Sequence, residues 1–264
     1  TVFSKKCWVS MNYQGFLEKM KGELDQDNLV HYKLALEEES CLLNPLVGKR
    51  VQVSWTGQSR CVFCKKIVKK LYGTGSCYPC LISKPQNDIC MVRPELCHFS
   101  KGTCRDPHWA ARSCFISHTL YLSNTSGLKV GITKTFNETQ RWIDQGATEA
   151  VAVARVSSRK KVGLLESFLK NFYKDKTNWR RMLSGHSCEV NLQNEKNSLL
   201  IKLQDESQLF DAAEEGPQSF NYPVRSYPEK IKSYNLLKQD RVDDQLCGIK
   251  GQYLIFSNGV LNVR

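Results

Sequence analysis

The chain has 264 residues, enough to bury a sound core, with room for one large domain or two to three small ones. Lys and Arg outnumber Asp and Glu by 38 to 26 and the pI is about 9.1. That excess points to a polyanionic partner, nucleic acid first, with a plain well-solvated basic surface as the alternative. No run of about eighteen apolar residues occurs, so neither a transmembrane helix nor a membrane partner is expected.

The opening TVFSKKCWVSMNYQGF lacks the apolar block of a secretory signal. It does not begin with Met, and a start at Met11 would make residues 1–10 an extension. Of twelve cysteines, eight fall between Cys61 and Cys114. In a chain without an export signal that density points to metal binding rather than a disulfide scaffold, and to a cytoplasmic, reducing setting.

Residues 1–60 read as a β-rich segment after a short helical start. HYKLALEE alternates weakly, and KRVQVSW is a strand with Val51, Val53 and Trp55 on one face. Residues 61–115 form a cysteine-rich module poor in long periodic runs. Cys61-x-x-Cys64 and Cys77-x-x-Cys80, twelve residues apart, are its strongest signal. Two such knuckles offer four thiolates to one tetrahedral zinc, against the plainer reading of a redox pair or disulfides. Lys65, Lys66, Lys69 and Lys70 lie between the knuckles and can face phosphate. Cys90, Cys97, Cys104 and Cys114 follow at looser spacing, interleaved with His98, His108 and His118. A second structural zinc is the simplest account of them, with a histidine replacing one cysteine as a variant. Ordinary buried thiols are the alternative. Cys7, Cys41, Cys188 and Cys247 are isolated and read as core residues.

Residues 116–185 change character. HTLYLSN and LKVGIT are strands around the turn residues Asn124 to Gly127. A helix carrying Arg141 and Trp142 follows, with Thr135 and Glu138 as a capping box and Gly146 as its stop. EAVAVARV is a third strand. In the next helix Leu165, Phe168, Leu169 and Phe172 share one face, which leaves Glu166 at the edge of the buried stripe. Arg159, Lys160 and Lys161 at its start read as a solvated charge run. Arg180 and Arg181 beyond it are candidate phosphate contacts, and Trp179 is core or a stacking platform. Residues 186–264 hold a polar excursion or weak helix (189–219) and then two apolar strands around Ser257-Asn258-Gly259. The terminal β segments are expected to pack together and bracket the middle.

The segment from about 117 to 185 resembles the GIY-YIG nuclease superfamily, whose core is a β-hairpin, helix, strand and helix. Thr119-Leu120-Tyr121 stands where the first name motif is expected and Lys129-Val130-Gly131 where the second is. Arg141 matches the helix arginine and Glu166 the metal-binding glutamate. Thr119 replaces a glycine and Lys129 a tyrosine, and His118 is placed to substitute as a base. The resemblance implies a magnesium or manganese ion on Glu166, Tyr121 as base or its positioner, Arg141 as phosphate clamp, and added charge from Lys129 or Lys134. PELCHFSKGTCRDPHWA, YLSNTSGLKVGIT, RWIDQGA, DKTNWRRML and GIKGQYLIF further resemble a bacterial family catalogued only as a domain of unknown function, from about Tyr13 to the end. Taken alone, Tyr121 is a packing residue, Trp142 packs under its helix, and Arg141 and Glu166 are a structural pair.

The reading is therefore an α+β chain: a GIY-YIG-like domain, an adjoining zinc ribbon and β-rich terminal segments. Its function is a zinc-stabilised nucleic-acid binder, DNA or RNA, extending to a magnesium- or manganese-dependent phosphodiesterase if the matched residues are active. The rivals are a non-catalytic reader of RNA or DNA and a zinc-scaffolded protein–protein adaptor.

Overall fold

The computed structural model describes residues 2–4, 13–36, 39–173, 177–186 and 188–263. The chain is mixed α+β, and its strands pair antiparallel. The first segment supplies β1 (Val2–Ser4), β2 (Tyr13–Gln14), β3 (Lys21–Leu24), β4 (Val30–Leu36), β5 (Glu39–Leu42) and β6 (Arg50–Ser54). HYKLALEE alternates more cleanly than its sequence suggests. Val30, Tyr32, Leu34 and Leu36 point inward, while His31 and Lys33 face solvent. The helical start is not seen from Tyr13 onward, where strand begins; residues 5–12, including Cys7 and Met11, lie outside the described residues.

The cysteine-rich segment is built from short pieces: β7 (Ser59–Arg60), β8 (Ile67–Val68), α1 (Tyr78–Ser83), four single 3-10 turns, and α2 (Pro107–Ser113). The start of α2 follows the rules for helix entry. Asp106 accepts from the Trp109 amide at 2.8 Å, and Pro107 takes the first helical position.

Next come β9 (His118–Asn124), β10 (Leu128–Lys134), α3 (Glu138–Asp144), β11 (Glu149–Val156) and α4 (Arg159–Leu169), in the order the sequence predicts. Gly146 at φ +68 follows α3. Two details differ from expectation. Glu138 does not close a capping box with Thr135, because the Thr119 hydroxyl donates to its carboxylate, and Arg155 lies 3.4 Å from it. The buried face of α4 is Val162, Leu165 and Leu169, whereas Phe168 and Phe172 are exposed and pack on each other. Glu166, half-buried, stands one turn after Val162 and beside Leu165, next to the packed stripe.

The chain closes with α5 (Trp179–Met182), α6 (Leu192–Lys202), β12 (Asp211–Ala212), β13 (Gln218–Ser219), β14 (Arg241–Lys250), β15 (Tyr253–Phe256) and β16 (Gly259–Asn262). The polar excursion contains a true helix, α6, because Leu192 and Leu199 bury on one side of it. Ser257 and Asn258 make the turn between β15 and β16, anchored by Asp244, which accepts from the Ser257 hydroxyl and the Asn258 amide.

One sheet runs β16-β15-β14-β6-β1-β2, so the terminal segments share a sheet through the β14–β6 pair. A second runs β10-β9-β11-β12, with β13 also on β11. Because β9 is interior, all seven of its residues are buried. Leu120 and Leu122 enter a core with Val162, Leu165, Leu169 and Leu199. Tyr121, pointing the other way, enters a core with Tyr32, Trp142, Ile143 and Leu254. The middle sheet thus separates two apolar layers, and its alternation decides which side chain reaches which.

Candidate functional site

The four thiols of Cys61, Cys64, Cys77 and Cys80 lie within 4.8 Å of one another. Cys64 Sγ and Cys77 Sγ are 3.7 Å apart. A disulfide needs about 2.05 Å, whereas four sulfurs at about 2.3 Å from one zinc stand roughly 3.8 Å from each other. The separation fits a shared ion and not a bond, and the cluster can hold zinc. Burial alone would raise the Cys61 thiol, but the amides of Cys77, Cys64 and Phe63 directed at its sulfur bring it down to about 6. The Cys77 amide is 3.3 Å from Cys61 Sγ. Phe63, Val68 and Leu71 pad the cluster. Lys65, directly after the first knuckle, takes the left-handed conformation at φ 60, and its amide donates to the Cys61 carbonyl at 3.0 Å. Lys65, Lys66, Lys69 and Lys70 are exposed.

Cys90, Cys97, Cys104 and Cys114 line one small cavity. The three ligand-type groups closest together there are Asp88, Cys90 and His98. Of the isolated cysteines, Cys41 is buried, and Cys188 and Cys247 are half-buried.

The third group surrounds Tyr121. Gly131 lies directly opposite it across the hairpin, and the phenol lies over Gly131 so closely that a Cβ there would be 2.5 Å from the hydroxyl. The phenol crosses β10, the edge strand, only because that position has no side chain. Its hydroxyl donates to Gln145 Oε1 at 2.9 Å and meets the Arg141 side chain. Burial raises the phenol above its ordinary value, the Arg141 guanidinium and Gln145 oppose this, and the Glu166 carboxylate adds to the rise. Tyr121 of β9 thus meets the side chain of Arg141 from α3 and feels the charge of Glu166 from α4. The Tyr121 ring is 0 % exposed, edge-on to Trp142 at 6.0 Å, while Trp142 also meets Phe220 at 6.1 Å. Glu166 is 12 % exposed at its side chain, with Lys170 Nζ at 3.4 Å.

Lys129 is buried and faces the same side as Tyr121, by register with Ser123. Lys134 is half-buried at the end of β10, its ammonium 5.7 Å from the centre of the Phe136 ring. His118 lies on the opposite face from Tyr121, next to Lys134 across the hairpin. Its Nδ1 donates to the Ile116 carbonyl at 2.8 Å, and its Nε2 is buried without a partner. Burial, with the charges of Arg159 and Lys134, lowers the imidazole to about 4. His118 therefore does not stand in for a base beside Tyr121.

Arg159 is not the solvated charge it resembles in sequence. Its amide donates to the Cys114 carbonyl at 2.7 Å, and its guanidinium to the Met91 carbonyl at 2.7 Å. Lys160 and Lys161 are exposed. Arg180 and Arg181 are exposed too, and the Arg180 guanidinium covers the Trp179 ring at 4.2 Å. Trp179 also stacks on Tyr253 at 5.7 Å, so two neighbours already engage this ring. Gln145 and Arg159 escape sequence reading, since neither spacing nor motif marks them.

A family model described as "Protein of unknown function (DUF2797)" matches residues 48–264. The chain belongs to that family. The match starts well after Tyr13, so residues 1–47 lie outside it and β6 lies within it. No curated protein and no solved structure matches the chain.

Proposed function

We propose that this member of the DUF2797 family is a zinc-stabilised nucleic-acid-binding protein, with two structural zinc ions, acting in the cytoplasm. Its middle sheet carries a GIY-YIG-like site that hydrolyses phosphodiesters with a divalent cation. The observation that carries the reading is that the Tyr121 phenol, lying over Gly131, meets the Arg141 side chain and feels the charge of the Glu166 carboxylate. A family resemblance on weak motifs gains weight when two of the matched residues, Arg141 and Glu166, both act on the third, Tyr121.

The residues suit the chemistry. Glu166 offers the hard oxygen that magnesium or manganese prefers, and one carboxylate plus water and phosphate is an ordinary shell for such an ion. When bound, the ion supplies Lewis acidity at the phosphate. Arg141 offers two parallel N–H donors to phosphate oxygens, and Tyr121, through its hydroxyl, fixes the orientation of that guanidinium. Lys129 and Lys134 add positive charge at the hairpin, while Lys65, Lys66, Arg180 and Arg181 offer exposed charge to the backbone of the ligand.

A second reading, a non-catalytic reader of RNA or DNA, is favoured by one fact: Tyr121 is fully buried, which suits a residue that orients others better than one that meets water. Purified protein with magnesium or manganese and labelled DNA or RNA separates the two. Cleavage lost in Glu166→Ala supports the nuclease. Equal product yields from wild type and Glu166→Ala on every substrate exclude it, and salt-sensitive binding without cleavage supports the reader.

A further inference from the structure

Residues 84–115 pose a problem of stability. Among the described residues this segment contributes to no hydrophobic core cluster. Of its large apolar side chains, Ile89, Val92, Leu96 and Phe115 are exposed and Met91, Phe99 and Trp109 only half-buried. Its regular structure is α2 and a series of single 3-10 turns. A stretch of this kind does not hold its shape by apolar burial, and small modules in that position are held by disulfides or a metal.

Four cysteines surround one cavity in this segment, although no three of their sulfurs stand within 4.8 Å of one another as those of Cys61 to Cys80 do. Cys90 sits in the turn Ile89–Met91, Cys97 ends the turn Pro94–Leu96, Cys104 lies beyond the turn Phe99–Lys101, and Cys114 ends α2. All four line a single cavity of about 20 Å³ walled by the Phe99, Trp109 and Phe115 rings. That is room for one ion or one water. Each cysteine comes from a different local turn, so one ion binding all four would tie the segment together.

Asp88 and His98 stand close to Cys90 but are already occupied. His98 Nδ1 is 2.8 Å from the Thr103 hydroxyl, and His98 Nε2 is 3.1 Å from Asp88 Oδ1. Asp88 also accepts from the Cys90 amide and pairs with Arg105 at 2.8 Å. They form a satisfied polar brace beside the thiols. A tetrathiolate zinc carries net negative charge, and Arg159 and Arg105 flank the cavity with the opposite sign.

The same segment is clamped to α4. Arg159 ties its backbone to Cys114 and its guanidinium to Met91. At Gly163 the turn carrying Pro94 comes so close that any Cβ would collide with the proline ring. We infer that Cys90, Cys97, Cys104 and Cys114 hold the second zinc as an all-thiolate centre, and that this centre anchors the first turns of α4. The inference rests on the two-zinc part of the proposed function and not on its chemistry toward nucleic acid.

The test uses the full chain and needs no substrate. Wild-type protein contains two zinc ions per chain by elemental analysis, and Cys104→Ser/Cys114→Ser contains one. Zinc X-ray absorption on wild type shows a sulfur-only shell at about 2.3 Å; this measurement stands even if the cysteine variant does not fold. Cobalt loaded into Cys61→Ser/Cys64→Ser gives an all-thiolate spectrum that His98→Ala leaves unchanged. Hydrogen exchange of the amides of residues 159–166 speeds at least tenfold in Cys104→Ser/Cys114→Ser. One zinc per wild-type chain, a nitrogen contribution to the shell, or a His98→Ala spectral shift overturns the ligand set. Unchanged exchange in α4 after loss of the second zinc overturns the anchor.

Discussion

Tyr121 and Gly131 face each other across the β9–β10 hairpin with no space for a methyl group between them: a Cβ on Gly131 would sit 2.5 Å from the phenol oxygen and 2.6 Å from Cζ. Gly131→Ala must push the ring out of its place between Trp142 and β10. Overpacking of this kind costs about 1–3 kcal/mol, and the loss is read as a shifted midpoint in urea unfolding. A change under about 0.5 kcal/mol would show that the ring has other room.

Leu165 and Phe168 separate the observed buried face of α4 from the one the sequence suggests. Leu165→Ala should cost about 2–5 kcal/mol, while Phe168→Ser, on the exposed side, should stay near 0.5 kcal/mol. The two variants are compared by denaturant unfolding, and equal losses would contradict the packing described.

Lys65 holds a left-handed backbone angle, φ 60, which costs an ordinary residue roughly 1–2 kcal/mol relative to glycine. Lys65→Gly should therefore tighten zinc at the first cluster by about fivefold or more, in competition with a chromophoric chelator. Lys65→Ala brings no such gain. The direction is opposite to what removal of a useful contact would produce.

His118 is buried and its imidazole is lowered to about 4 from the usual 6.5, by burial first and by Arg159 and Lys134 beyond that. The unfolded chain then takes up a proton that the folded chain refuses. This contribution to stability is intact above pH 6.5 and is lost as pH falls toward 4. Unfolding followed at pH 7, 6, 5 and 4 should show a steeper decline for wild type than for His118→Gln. Parallel curves would remove His118 as the source.

Lys65, Lys66, Arg180 and Arg181 are exposed cations of the proposed interface. Each one that meets a phosphate should lower the slope of log K against log salt by about 0.9 on duplex DNA when replaced by alanine. Fluorescence anisotropy across a salt series measures it. A slope untouched by all four replacements would place the ligand elsewhere.

Much of this was legible in the sequence, for reasons that can be named. Alternation in EAVAVARV and the Ser257-Asn258 turn identified their strands, because side-chain period and turn chemistry are local properties. The Cys61 to Cys80 knuckles were legible because metal geometry constrains spacing. The face of α4 was not. Phe168 and Phe172 are as apolar as the true core residues Val162 and Leu165, and only the docking of β9, β10 and the Pro94 turn decides which side is covered. The capping box failed likewise, since Thr119, from a distant strand, takes Glu138. Gln145 and Arg159 gain their roles from tertiary contacts that no local pattern records.

The pairing of β6 with β14 has a consequence for synthesis. Arg50 and Asp243 meet across it, 193 residues apart in sequence, so one edge of β6 stays open until β14, Arg241–Lys250, has left the ribosome. During that interval Val51 and Val53 lack their final neighbours, and the unpaired edge is a template for another growing chain. Interruption of translation between β11 and β14 therefore leaves a fragment disposed to aggregate, however well its middle sheet has formed.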